Sequence, residues 1–248
     1  NLVISNCIFF ANRASRGGAL ANGSGGNLNI INSTFSSNLS KNDSDYFMNG
    51  GAIYNVTTGS MTIDRSTFSD NEGDDGGAIF SFGTVNIINS TFSGNTAESY
   101  GGGIVNAGTV TISNSTFSEN SATTGAGIYN YSGYTLNFTN SIIANSITGN
   151  DCINEGIIGT NVNNVVGDGS CSAALSGDPS LGPLVDNGGP TKTHALESDS
   201  IAIDSGNLAA CPDVDQRGIE RPQGEGCDIG AYEKEPFIFT FLPLIMKK

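Results

Sequence analysis

Four carboxylates lie within one six-residue stretch of the chain: Asp70, Glu72, Asp74 and Asp75. Carboxylate oxygens at alternate positions are ligands that Ca²⁺ takes in proteins, although the full twelve-residue loop of an EF-hand is missing. Two unit charges about 5 Å apart repel by roughly 3 kcal/mol at an effective dielectric of about 20. This stretch therefore either binds a calcium ion or remains a solvated acidic loop. No other cofactor is predicted.

Cleavage of a polysaccharide is a second chemistry that the sequence permits. Lyases and hydrolases need basic and carboxylic groups around the bond that they cleave. Arg13, Arg16, Lys41 and Asp43 precede the acidic stretch and offer such groups. Basic residues are few, however, and none recurs at a fixed interval. We keep this enzyme as the alternative, which a cleft shared by Arg16, Asp43 and the acidic stretch would favour.

A second set of acids lies near the C-terminus, interspersed with arginines. Glycosidases use two placed carboxylates, which this set can supply. The arginines can equally pair with the acids and lock an irregular cap, and the loop-like composition of the segment favours this interpretation. The residues are Asp204, Asp215, Arg217, Arg221, Asp228 and Glu233.

Cysteine usage indicates disulfides rather than a metal centre. There is no Cys-x-x-Cys pair, and His194 is the single histidine, so a zinc site is not predicted. Four of the five cysteines form two local pairs, Cys152 with Cys171 and Cys211 with Cys227. Two disulfides in an oxidising, extracellular compartment are the simplest interpretation. Cys7 replaces a serine of the repeat and is predicted to be unpaired.

Composition and charge exclude several classes of function. The 248 residues include 34 glycines and no tryptophan, and only 14% are charged. Such a composition favours short strands and tight turns over helices. The net charge is −14, so the chain lacks the clustered positive charge that nucleic acids require. No stretch reaches the roughly 20 apolar residues of a membrane-spanning helix.

The elements that must position these residues are repeats. A phrase close to apolar-x-Ile-x-Asn-Ser-Thr-Phe-Ser-x-Asn, followed by Gly-Gly-Ala-Ile, returns at intervals of 24 to 26 residues with one interval of 33. Alternation of apolar and polar residues predicts three short strands in each unit. Such units stack into a solenoid. We predict an all-β, parallel β-helix of about six coils. The units begin at Leu2, Leu28, Met61, Val85, Val110 and Leu136.

Stacking turns each position of the repeat into a ladder of equivalent residues. The phenylalanine ladder (Phe9, Phe35, Phe68, Phe92, Phe117) is predicted to fill the bore. Asparagines three residues later are predicted to bond to their copies in the next coil. A further column, made of Tyr54, Phe80, Val105 and Tyr129, can stack on sugar rings or on itself.

The repeated Phe-x-x-Asn and Gly-Gly-Ala-Ile phrases resemble those of bacterial polymorphic outer-membrane proteins. This resemblance covers about residues 1 to 145, and its phrases include Phe92 to Asn95 and Gly76 to Ile79. It implies a right-handed parallel β-helix on a cell surface, often with an adhesive role. No region of many amphipathic strands follows, so the sequence does not support a membrane barrel.

Residues 1–148, 149–235 and 236–248 are predicted to be the repeats, a disulfide-containing cap and an apolar tail. Phrases between about residues 175 and 233, ending in Asp228-Ile-Gly-Ala-Tyr-Glu233, are similar to the choice-of-anchor domains of secreted bacterial proteins. This similarity implies a surface or secreted location and says little about chemistry.

The tail is predicted to be an apolar strand that mediates self-association. It contains Phe237, Phe239, Phe241, Leu242 and Leu244. The chain opens directly in a repeat strand, which suggests a processed or partial product with an open first coil. Either the tail of one subunit covers that coil in the next subunit and builds a head-to-tail fibre, or the tail folds back on its own solenoid. The open coil would present Leu2, Ile4 and Phe9.

Taken together, these patterns predict a secreted or cell-surface bacterial protein with a structural or adhesive role. Its expected partners are other copies of itself and surface glycans. Neither nucleic acid nor a membrane span is expected. A polysaccharide lyase or glycoside hydrolase of the β-helix type is the alternative.

Overall fold

The protein is a parallel β-helix in the computed structural model, which describes residues 1–41 and 49–236. Four parallel sheets form the sides of the solenoid, and one antiparallel pair lies outside it. The strands are numbered β1 to β26 in chain order. Coils 1 to 6 begin at β1, β5, β9, β13, β17 and β20. The predicted all-β solenoid of about six coils is confirmed.

The two longest sheets share a corner and run the whole length of the stack. Sheet A contains β1 (Leu2–Ser5), β5 (Asn27–Ile31), β9 (Ser60–Asp64), β13 (Thr84–Ile88), β17 (Thr109–Ser113), β20 (Thr135–Thr139) and β23 (Ile157–Val162). Sheet B contains β2 (Ile8–Phe10), β6 (Thr34–Ser36), β10 (Thr67–Ser69), β14 (Thr91–Ser93), β18 (Thr116–Ser118), β21 (Ile142–Ala144) and β24 (Val165–Val166).

Two shorter sheets complete the coils. Sheet C contains β3 (Arg13–Ala14), β7 (Leu39–Ser40), β11 (Glu72–Asp75) and β15 (Thr96–Tyr100). Sheet D contains β4 (Leu20–Asn22), β8 (Ile53–Asn55), β12 (Ile79–Ser81), β16 (Ile104–Asn106), β19 (Ile128–Asn130) and β22 (Cys152–Asn154). Sheet C adds a fourth strand to a coil, whereas the repeat predicted three strands. The sequence did not reveal this strand because it lacks a clear alternation of apolar and polar residues.

Pairing between coils is in register, so equivalent residues lie directly above one another. Ile63, Ile87 and Ile112 are Cα partners in neighbouring strands of sheet A. In sheet B the phenylalanine rings stack almost parallel, with centroids 4.5 to 4.8 Å apart from Phe9 to Phe117. This separation equals the spacing of strands within a sheet, so the backbone sets the spacing of the rings. The predicted apolar ladders therefore form the core.

A continuous chain of asparagine amides lines one corner of the bore. The Asn71 side chain donates to Asn95 Oδ1 at 2.8 Å and to the Phe35 carbonyl at 2.9 Å, and its backbone N–H donates to the same Asn95 oxygen. The same pattern links Asn38 to Asn71 and Asn95 to Asn120. Each amide thus pairs polar groups that the corner would otherwise leave buried and unbonded. The predicted asparagine ladder is confirmed.

The sharp corner between sheets A and B uses a different asparagine column. Its residues adopt left-handed backbone angles, which asparagine tolerates better than most residues. Elsewhere the coil needs glycine: Gly76 has φ +73°, and a Cβ there would lie 2.4 Å from the Ile79 carbonyl oxygen. The corner column is Asn6, Asn32, Arg65, Asn89, Asn114, Asn140 and Asn163.

Residues beyond the sixth coil close the end of the bore. Strands β23 and β24 extend sheets A and B to Val166, past the predicted boundary at residue 148. A short 3₁₀ turn, η1 (Ser170–Ser172), follows, and the predicted disulfide between Cys152 and Cys171 ties it to β22. Cys171 and Ala173 pack against the core, so this segment covers its last apolar layer.

Residues 178–235 form a segment that we call the wrap, which lies along the outer face of sheet B. It contains β25 (Leu181–Val185), β26 (Thr193–Leu196) and the 3₁₀ turn η2 (Leu208–Ala210). Apolar wrap residues cover Ile142, Ala144 and Val165 of the last coils. In the middle of the sheet, the threonines of successive coils bond to the wrap instead, as Thr67 does to Lys192 and Thr116 to Ala231.

The asparagine ladder predicts a measurable difference between two substitutions in coil 4. Asn95→Ala leaves several buried polar groups without partners, each of which costs about 1–3 kcal/mol. Urea unfolding should show a loss of about 3 kcal/mol. Asn86→Ala, on the partly exposed outer face of β13, is the matched control and should change the unfolding free energy by less than about 0.5 kcal/mol. Equal losses in both variants would contradict the ladder.

Candidate functional site

The four carboxylates of the acidic stretch point to different surroundings. Glu72 is exposed, whereas Asp74 and Asp75 are buried. The Asn49 side chain pairs with Asp74, because its amide nitrogen donates to Asp74 Oδ2 at 2.7 Å and its amide oxygen accepts from the Asp74 N–H. Asp70 lies at a left-handed corner and lines a groove beside sheet B.

The predicted calcium ligands therefore do not converge. In the described ranges, no three histidine, cysteine or carboxylate side chains lie close enough to hold a metal ion. Asp70 lies outside strand β11, and the register of β11 shifts between Gly73 and Asp75, so Glu72 is exposed while Asp74 and Asp75 are buried.

Asp75 is the most perturbed of these acids. Burial raises the pKa of its carboxyl to about 7, and the neighbouring charge of Asp74 adds to this increase. Its Oδ1 atom is buried and has no hydrogen-bond partner within the described part of the chain. Near neutral pH the carboxyl is therefore present in both its protonated and its ionised form.

The groups that a polysaccharide-cleaving enzyme would need are dispersed. The Arg16 guanidinium lies over the Tyr54 ring, 5.5 Å from its centroid, on the side of sheet D. Lys41 forms an exposed pair with Glu98 at 3.9 Å, a type of contact that contributes little. Asp43 lies outside the described residues. Arg16 and Asp74 line none of the described cavities, so the cleft that would favour the enzyme is not formed by the described members of the set.

Two of the C-terminal acids, Glu233 and Asp215, are structural partners of arginines. Arg221 donates to Glu233 Oε2 at 2.9 Å and to the carbonyls of Asp228 and Gly230, with its side chain fully buried. The remaining Glu233 oxygen accepts the Gln223 N–H. Burial raises the pKa of Asp228 to about 6. The carboxylates are therefore used in hydrogen bonds within the wrap.

Arg217 also pairs with an acid of the wrap. Its Nε donates to Asp215 Oδ2 at 2.9 Å, and its guanidinium stacks on the Tyr232 ring at 3.7 Å. His194 also holds the wrap in place: one ring nitrogen lies 2.7 Å from the Gly182 carbonyl and the other 2.9 Å from Ser93 Oγ in sheet B. Burial lowers the pKa of His194, so the imidazole is neutral in this role.

The second predicted disulfide is absent from the structure. Cys211 and Cys227 are free thiols close enough for each to shift the pKa of the other, and Cys7 is a free thiol as predicted. Asn140 and the carbonyl of Asn207 also contact the Cys227 sulfur. Burial raises the pKa of both thiols, which keeps them protonated and unreactive.

The predicted self-association residues of the first coil are largely occupied. Ile4 is buried, and Phe9 stacks on Phe35 with centroids 4.6 Å apart. Leu2 points into the bore, and it is exposed because the first described coil has a neighbouring coil on one side only. Their predicted partners, Phe237, Phe239, Phe241, Leu242 and Leu244, lie outside the described residues.

Sequence reasoning missed a different exposed set on the same coil. Val3, Ile8 and Phe10 point away from the bore, and Ile8 and Phe10 are 76% and 66% exposed. Their partners in coil 2 are Asn29, Thr34 and Ser36, so each column is apolar in coil 1 and polar in the coil that follows. A comparison along the columns, instead of within one repeat, would have identified these residues.

Ile8 and Phe10 form one wall of a groove of about 460 Å³. We call it the lateral groove. Its base is the hydroxyl-bearing outer face of sheet B in coils 2 and 3, and its opposite wall is the edge of the wrap. The wrap contributes Asp186, Pro190 and Lys192, and coil 3 contributes Asp70.

These features define a solenoid repeat protein whose accessible sites are on its lateral faces. Residues 89–107, which include β14, β15 and β16, match the family model of the Chlamydia polymorphic membrane protein (Chlamydia_PMP) repeat. The match and the coiled fold support the resemblance to this β-helix family and indicate a surface protein. No curated protein and no solved structure gives a significant match. The described residues contain no helix long and apolar enough to cross a membrane.

The burial of Asp75 predicts an unusual dependence of stability on pH. Its pKa rises from 3.8 to about 7 on folding, so the folded state binds more protons between these values. The contribution of Asp75 to the unfolding free energy must then fall as pH rises from about 4 to 7. Asp75→Asn should remove this contribution and flatten the profile. Glu72→Gln on the same strand is the control, and a profile equally unchanged in both variants would contradict the assignment.

The thiols predict a graded reaction with iodoacetamide. At pH 8 the native protein should be modified rapidly at exposed Cys7, slowly at Cys211 and least at buried Cys227. Unfolding in urea without reductant should then expose three reactive thiols per chain, counted by mass spectrometry. A count of one thiol would instead show that Cys211 and Cys227 are joined.

Proposed function

We propose that this chain is a structural or adhesive β-helix protein of the bacterial cell surface that associates with copies of itself through the lateral groove. The repeat match supports the surface location. The observation that carries self-association is the exposed apolar wall formed by Ile8 and Phe10. Because both side chains point away from the bore, a further coil stacked on β1 and β2 would leave them uncovered.

The opposite end of sheet B supports the idea that these columns receive a cover. Ile142 occupies the Ile8 column and Ala144 the Phe10 column, and apolar residues of the wrap bury both. In coils 3 to 5 the same columns are hydroxyls that bond to the wrap. Apolar residues on this face thus coincide with an apolar cover, and coil 1 is where the wrap does not reach.

The occupant that fits the lateral groove is the apolar tail of a second copy. The ten residues from Phe237 to Met246 are apolar apart from one threonine, and Lys247 and Lys248 follow them. With Asp70 and Asp186 against the single Lys192, the lining of the groove is net negative and complements these two positive charges. An extended segment that buries alternate side chains in a groove is an established mode of recognition. Repetition of this contact from one copy to the next builds a fibre.

Two changes test this contact by light scattering after size exclusion and by negative-stain imaging. The double variant Ile8→Thr, Phe10→Ser restores the residue types of coil 2, and deletion of residues 237–248 removes the tail. Each should convert assemblies into monomers. Ile147→Thr changes an equally exposed isoleucine of coil 6 and should leave assembly intact.

Monomeric wild-type protein would overturn the proposal. So would assemblies that persist in both variants. A tail deletion that lowers the melting temperature without changing the molar mass would show that the tail binds its own chain, and it would also overturn assembly through the groove.

A further inference from the structure

The outer face of sheet D carries an aromatic cluster on the opposite side of the solenoid from the wrap contacts. Tyr54, Phe80, Val105 and Tyr129, the column recognised in the sequence, are all buried there. Phe82, Tyr100 and Tyr131 pack against them. The rings contact one another, as Tyr129 and Tyr131 do edge to face with centroids 4.8 Å apart. The column itself is therefore occupied by its own contacts.

The cluster nevertheless leaves one cavity of about 210 Å³ open to solvent. Phe80 and Ala107 are buried at its base, and Phe82, Tyr131 and Tyr134 supply aromatic walls. The ring centroids of Phe80 and Phe82 lie 4.9 Å apart, and the Tyr131 ring contacts Tyr129 and Tyr100. These contacts hold the three rings in place without a ligand. Such a preformed site loses little conformational entropy on binding.

The lining is aromatic and hydroxylic and carries no charge. Ser132, Tyr131 and Tyr134 contribute hydroxyl groups. Two carboxylates lie outside the lining: Asp75 acts on Tyr131, and Glu155 on both Tyr129 and Tyr131. With burial as the main cause, they raise the pKa of Tyr131 to about 12, so its hydroxyl stays protonated and able to donate.

We propose that this cavity is a binding subsite for one neutral hexopyranose ring of a surface polysaccharide. A pyranose presents an apolar C–H face and a rim of hydroxyls, which match the aromatic walls and the three hydroxyl groups. The volume holds one ring. The proposal rests on the surface location and not on self-association, since the lateral groove lies on sheet B.

Other ligand classes fit this lining less well. A purely apolar ligand would leave the hydroxyls of Tyr131, Ser132 and Tyr134 without partners, which is costly once they are desolvated. A metal ion would need a carboxylate in the lining, and none of the six lining residues is acidic. An anionic polysaccharide would meet the two nearby carboxylates and a chain of net charge −14.

Isothermal titration of the full chain with neutral oligosaccharides tests the proposal. The probes are cellohexaose, maltoheptaose, mannohexaose and chitohexaose, with a hexamer of galacturonic acid as the anionic comparison. At least one neutral probe should bind and should change the tyrosine fluorescence, which no tryptophan obscures. The galacturonate hexamer should not bind.

Substitutions in the walls locate the site. Phe82→Leu keeps the apolar volume and Tyr134→Ser changes a residue at the mouth, so both should fold, as checked by circular dichroism, and each should weaken binding at least tenfold. Tyr134→Phe keeps the ring and should retain most of the affinity. Phe10→Ser, in the lateral groove, is the control and should leave sugar binding unchanged while it weakens assembly.

Absence of binding by every neutral probe would overturn the proposal, as would unchanged affinity in Phe82→Leu and Tyr134→Ser or equal binding of the anionic hexamer. Binding that appears only after deletion of residues 237–248 would identify the chain's own tail as the occupant, which also overturns it. None of these outcomes affects the molar mass measured for the lateral groove variants, so the two proposals fail separately.

Discussion

The in-register hydrogen bonding between successive coils is the constraint on which the rest of this structure depends. It fixes neighbouring coils at the strand spacing of about 4.8 Å, so each residue must tolerate its own kind directly above and below it. Aliphatic chains, parallel phenylalanine rings and amides that donate upward and accept from below all satisfy this condition. Like charges do not, which explains why the chain has so few charged residues in its columns.

The same constraint explains how the C-terminal segment is held. A stacked sheet offers a row of identical hydroxyls on its outer face, and the wrap uses that row as a line of attachment points through Gln216, His194 and Ala231. The wrap has almost no regular structure of its own, so the buried arginine and carboxylate pairs stabilise it alongside its apolar contacts with the last coils. They fix its shape because removal of either partner would leave a buried charge unpaired.

The sequence predicted the parts of the structure that repeat. The phenylalanine and asparagine ladders, the coil number and the Cys152–Cys171 disulfide follow from periodicity or local spacing. It failed where a residue acts through partners distant in sequence. Asp74 was taken for a metal ligand because its partner Asn49 is 25 residues away. The predicted cap is partly a lateral wrap, since loop composition does not specify a docking face. The sequence did not identify Val3, Ile8 and Phe10, because they are unusual only in comparison with their polar partners in coil 2.

The wrap also changes how the solenoid responds to force. A stack of coils pulled along its axis opens one coil at a time, because each step breaks only the few hydrogen bonds between two neighbours. Here the wrap bonds to Arg65 and Thr67 in coil 3 and to Asn140 in coil 6. Coils 3 and 6 therefore cannot separate unless the contacts along the wrap shear together. The wrap therefore braces coils 3 to 6, and a surface protein under tension would yield first in coils 1 and 2.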